Sequence, residues 1–79
     1  MEKKEVEQIV LNLITELSGK ENCLADMDLI DEIGLSSVEV MGLVSGTERR
    51  FGMKIASREL RMVMTPADLA ELVCGKLKG

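Results

Sequence analysis

Two adjacent serines, Ser36 and Ser37, stand inside IGLSSVEV at residues 33–40, just before apolar residues begin to recur at helical spacing. A serine hydroxyl becomes a nucleophile only with a base beside it, and the usual base is missing because the chain has no histidine. Paired carboxylates such as Asp31 and Glu32 lie in an acidic, solvated stretch and not in the dry cleft that acid–base chemistry needs. The run DMDLIDE resembles a calcium loop in its acids, yet lacks the central glycine and the glutamate at the twelfth position. Cys23 and Cys74 form no C-x-x-C pair and have no histidine near them, which argues against a zinc site and against a disulfide framework. They read as buried or incidental thiols of a reduced protein. No glycine-rich nucleotide loop is present. The expectation is a protein with no active site and no metal.

The serines then differ by position. Ser36-Ser37-Val38-Glu39 fits the capping box S-x-x-E, which turns the Ser36 oxygen back to a first-turn amide and occupies it. Ser37 falls at the first helical position with its hydroxyl outward. It lies beside the unpaired N–H groups and the positive end of the helix dipole, where a phosphate ester would be favoured. Ser37 is the better modification site and Ser36 the better cap. The residues alone leave open that both do no more than begin a helix.

The elements that must position this pair are helices. Val6, Ile9, Val10, Leu13, Ile14 and Leu17 predict an amphipathic helix from about Glu2 to Leu17, ended by Ser18-Gly19. Residues 20–36 form a long acidic connection whose Leu24, Met27, Leu29, Ile30 and Ile33 have no sustained period and are expected to pin it across the bundle. The second helix follows with Val40, Leu43, Val44 and Thr47 facing the core, and Phe51-Gly52 closes it. Gly42 and Gly46 inside it each cost about 1 kcal/mol against alanine, so they either permit a close backbone approach or reflect relaxed selection. Ser57 is expected to cap a brief third helix through about Met62. Thr65-Pro66-Ala67-Asp68 opens the last helix, with Leu69, Leu72, Val73 and Leu77 on one face.

Seventy-nine residues are enough for one small domain, expected over residues 1–79. Phe51 is the only aromatic residue, so the core must be Leu, Ile, Val and Met, as suits helices packed on helices. A net charge of -4 and no stacking aromatics argue against a nucleic-acid partner. No apolar run approaches the roughly 18 residues of a membrane span, and MEKKEVEQIV is a charged helix start and not an export signal. A cytoplasmic monomer is expected. Charge is uneven: residues 1–33 hold nine acids against three bases, whereas Arg49, Arg50, Lys54, Arg58 and Arg61 fall within thirteen residues. Such a run is either a solvated face or a partner-facing patch.

DLIDEIGLSSVEVMGLV, followed by ERRFGMKI and VMTPADLAELV, resembles an acyl carrier protein over essentially the whole chain. The resemblance implies an all-α four-helix bundle of three main helices and one short one, with a long loop between the first two. It implies that Ser37 carries 4′-phosphopantetheine, attached by a phosphopantetheinyl transferase, and that acyl-loading and acyl-processing enzymes are the partners. Thr47, Ile55, Leu60 and Val63 match residues that line the family's acyl pocket, and Val38 and Met41 match its exposed partner contacts. Three departures stand out. Ser36 replaces the family's aspartate, which keeps the cap but puts contacts made by that acid in doubt. Val38 replaces Leu or Ile. Gly42, Arg49 and Arg50 stand where acids are usual, which would repel enzymes built to grip an acidic helix. The chain therefore reads as a specialised carrier for a dedicated lipid, fatty-acid or polyketide pathway. An aminoacyl or peptidyl carrier, and a carrier-like interaction module that is never modified, are the alternatives.

Overall fold

The apolar stripes wind into helices where their spacing predicts. The computed structural model describes residues 1–78 and holds α1 (Lys3–Ser18), α2 (Ser37–Phe51), α3 (Ser57–Leu60) and α4 (Pro66–Lys78), with no strand among them. Val6, Val10 and Ile14 of α1 are fully buried, against Leu43 and Thr47 of α2 and Leu69, Ala70 and Val73 of α4. Contacts between helices run chiefly through α1, which packs against both α4 and α2. No helix among the described residues is long and apolar enough to cross a membrane.

Local chemistry explains most boundaries. The predicted stop after α1 is realised by Gly19 in the left-handed region (φ 75°), whose N–H donates to the Thr15 carbonyl at 2.8 Å. Thr65 caps α4 as its sequence implies: its Oγ1 accepts the Asp68 amide at 3.1 Å, and Asp68 Oδ2 accepts the Thr65 amide at 3.2 Å. Ser57 does not cap α3. Ala56 is the N-cap, because Glu59 Oε1 accepts the Ala56 amide at 2.8 Å and draws the boundary one residue earlier. The helix also stops at Leu60 instead of Met62. Beyond it the amides of Met62 and Val63 reach back three residues, to the carbonyls of Glu59 and Leu60, in a turn.

The long connection is only partly pinned by the residues expected to pin it. Leu29 and Ile33 are buried, joined by Leu35, and Met27 is half-buried; Leu24 and Ile30 face solvent. Backbone bonds do the rest. Leu29 N–H donates to the Met64 carbonyl at 2.8 Å, and Ala67 N–H, a first-turn amide of α4, donates to the Ala25 carbonyl at 2.9 Å. Leu77, expected on the buried face of α4, is exposed in the last turn, and Ala70 takes a buried place beside Leu69 and Val73.

Candidate functional site

The Ser-Ser pair sits where a loop is forced into a helix start. Gly34 has φ 83°, a left-handed conformation that a side chain resists, so the turn ahead of α2 favours glycine. Leu35 is then buried, with its N–H on the Leu29 carbonyl at 2.9 Å. Ser36 is the N-cap: its Oγ accepts the Glu39 amide at 3.2 Å, and Glu39 Oε1 accepts the Ser36 amide at 2.9 Å. This reciprocal pair uses one hydroxyl and leaves the other outside it. Ser37 is the first residue of α2 and is exposed. Its own amide and that of Val38 precede the first helical acceptor, so the hydroxyl stands at a helix end that carries partial positive charge.

The arrangement fits a covalently attached phosphate ester. An anion on Ser37 Oγ would lie in water on one side and near first-turn N–H groups on the other, with no need to displace a packed side chain. The acids upstream do other work. Asp28 Oδ1 accepts the amides of Ile30 (2.9 Å) and Asp31 (2.8 Å), while Glu32 Oε1 accepts the Asp28 amide at 2.8 Å, so these carboxylates close a turn. No group of three or more His, Cys, Asp or Glu side chains among the described residues is placed to hold a metal.

Around this start the residues singled out by sequence fall into different environments. Val38 and Met41 are exposed on α2, at 77% and 68% of their full accessible surface. Thr47 is fully buried and its Oγ1 donates to the Leu43 carbonyl at 2.8 Å; Ile55 is also buried, and Leu60 and Val63 are half-buried against the core. A crevice of about 210 Å³ opens one turn along α2 from Ser37, lined by Asp28, Leu29, Ile30, Asp31, Val40, Val63 and Met64. Of the four matched pocket residues it includes Val63 alone. Ile30, expected to pin the connection, lines the crevice with an exposed side chain, as does Met64, which was not singled out; loop residues have no period that separates a lining side chain from a pinning one.

Arg49 and Arg50 part company. Arg49 lines a crevice of about 540 Å³ with Ser45, Glu48, Gly52, Met53 and Lys54, whereas Arg50 lies over a groove of α1 with Ile9, Asn12, Leu13 and Glu16. The basic run is therefore not one surface. Among the described residues the ion pair is Lys76 Nζ to Glu59 Oε2 at 2.9 Å, which involves none of the five clustered cations. The Glu59 carboxyl is held below its ordinary range, first by the Ala56 amide and then by Lys76.

Residues 8–73 match the family described as phosphopantetheine attachment site. The chain is also similar to an acyl carrier protein of Thermotoga maritima, with 27% identity over 77 residues that cover 95% of each chain.

Proposed function

The chain belongs to the phosphopantetheine-attachment family of acyl carrier proteins, and on that premise we propose that Ser37 is the residue that carries the 4′-phosphopantetheine arm. The observation that carries this reading is the division of labour at the start of α2, where Ser36 is engaged as cap and Ser37 is exposed next to it. When attached, the arm supplies a terminal thiol on which acyl groups are held as thioesters. The protein's own part is to hold the serine at a helix terminus that tolerates an anion, and to tether the arm at high effective concentration for its partners. Residues 1–79 then act as one carrier domain, a cytoplasmic monomer whose chemistry is done by a transferase and by acyl-loading and acyl-processing enzymes. The half-buried Leu60 and Val63 and the buried Thr47 and Ile55 would shelter the acyl chain if the bundle loosens around it. The test is intact mass after incubation with coenzyme A and a broad-range transferase. A gain of one phosphopantetheine, lost in Ser37→Ala and kept in Ser36→Ala, is expected; no gain with several transferases overturns the reading in favour of an unmodified interaction module.

The pathway is proposed to be a specialised one. Arg49 is exposed on the outer part of α2, and enzymes that grip an acidic carrier helix with their own cations would meet it as a like charge. Slow turnover of the acylated protein by the host's housekeeping fatty-acid enzymes is expected. Efficient elongation by those enzymes would sink this part of the proposal.

A further inference from the structure

The end of α1 delivers a cation to the turn that carries the two serines. Lys20 follows Gly19, the left-handed residue that stops α1. Its backbone is fixed on both sides: its N–H donates to Ser18 Oγ at 3.2 Å, and its carbonyl accepts Thr15 Oγ1 at 2.9 Å. From this anchored turn the side chain reaches the loop ahead of α2, where its Nζ lies 3.8 Å from the point a Cβ would occupy on Gly34. Gly34 comes two residues before the cap Ser36 and three before Ser37.

The charges around this contact give it meaning. Between Lys4 and Arg49 the sequence has no Lys or Arg except Lys20, whereas acids recur on both sides of the serine pair. The acids next to that pair in the chain are occupied with backbone: Glu32 accepts the Asp28 amide and Glu39 the Ser36 amide. Lys20 takes no part in the ion pair seen among the described residues, and its side chain is exposed. A phosphodiester on Ser37 would add a negative charge to an already acidic end of the bundle. The first-turn N–H groups of α2 offset part of that cost. Lys20 is the one side-chain cation that the fold brings to the same turn.

Reach permits the contact. Three residues of chain span at most about 10 Å, which bounds the distance from Gly34 to Ser37. The long flexible lysine stem and the ester linkage on the serine oxygen close that gap from either side, and no packed group has to move. We propose that the Lys20 ammonium pairs with the phosphodiester of the arm on Ser37 and draws the base of the arm toward the end of α1. The inference rests on the Ser37 reading above and adds to it a residue outside α2 that positions the arm.

The test uses protein loaded to completion with coenzyme A and excess transferase, with attachment at Ser37 confirmed by intact mass and peptide mapping. NMR cross-peaks between the Lys20 Cε protons and the arm methylene beside the phosphate are expected at 0.01 M salt, where the screening length is about 30 Å. They should vanish in 1 M salt, where it is about 3 Å. The phosphorus resonance should shift in Lys20→Gln, and stay near its original place in Lys20→Arg, which keeps the charge. Lys4→Gln removes the same charge about 24 Å away along α1 and should leave the resonance where it was. Circular dichroism of the unloaded variants should match the original protein, because an exposed side chain outside any ion pair is replaced. Missing cross-peaks, a phosphorus resonance indifferent to Lys20→Gln, or an equal shift in Lys4→Gln overturns the proposal. Failure to gain the arm, or its attachment elsewhere, overturns the Ser37 reading instead, and the mass measurements tell the two apart.

Discussion

Replacing each serine of the pair by alanine should damage two different properties. In Ser36→Ala the hydrogen bond from the Glu39 amide to Ser36 Oγ is lost. That bond is 3.2 Å long and lies at an exposed helix end, and its reciprocal partner, Ser36 N–H to Glu39 Oε1 at 2.9 Å, survives because alanine keeps the amide. The cost therefore belongs at the low end of the range for cap removal, about 0.5–1 kcal/mol. For a domain of this size that lowers Tm by roughly 2–8 °C. Ser36→Asp restores an acceptor and adds a negative charge at the positive end of the dipole, so it should recover the loss or exceed it. Ser37→Ala removes an exposed hydroxyl outside the cap and should change Tm by less than about 0.5 kcal/mol would, while abolishing the mass gain from coenzyme A. Thermal unfolding followed by circular dichroism, together with intact mass after transferase treatment, measures both properties in each variant. A crossed result, with Ser37→Ala unfolding early and Ser36→Ala refusing the arm, would refute the assignment of cap and carrier.

Gly42→Ala should raise stability by about 0.5–1 kcal/mol, because the added methyl meets open space and alanine gives up less backbone entropy than glycine on forming a helix; chemical denaturation measures it. Leu43→Ala empties a fully buried site between α2 and α1 and should cost about 2–5 kcal/mol in the same assay, enough to leave so small a domain near unfolding. The lowered Glu59 pKa favours the folded state above the ordinary glutamate value, and that contribution is lost as pH falls through the lowered value. Ala56→Pro, which removes the amide that is the leading cause, and Lys76→Met, which removes the ion-pair partner, should each move the Glu59 titration upward, as read by NMR; the Ala56 φ of -77° already suits proline.

Sequence periodicity was sufficient where burial follows helix geometry. Val6, Val10 and Ile14, or Leu69 and Val73, are inside because a 3.6-residue repeat puts them on one stripe, and a stripe must be covered. Caps with a reciprocal side chain were equally legible at Ser36 and Thr65, since their partners lie three residues away. The brief α3 was misread at both ends because a single turn has little periodicity and its boundary follows from one carboxylate, Glu59, reaching the Ala56 amide.

What the chain decides by itself is thus local: the helix registers, the caps, and the difference between an occupied and an available serine at residues 36 and 37. What the tertiary structure decides is which surfaces remain uncovered. Leu29 and Ile30 are neighbours in sequence, yet one is buried and the other exposed, because Leu29 is fastened to Met64 across the fold. Arg49 and Arg50 are also neighbours, and about 100° of helix rotation sends one to an open crevice and the other over α1. Charge counts along a chain cannot separate them, because only the position of α1 determines which side of α2 is left to a partner.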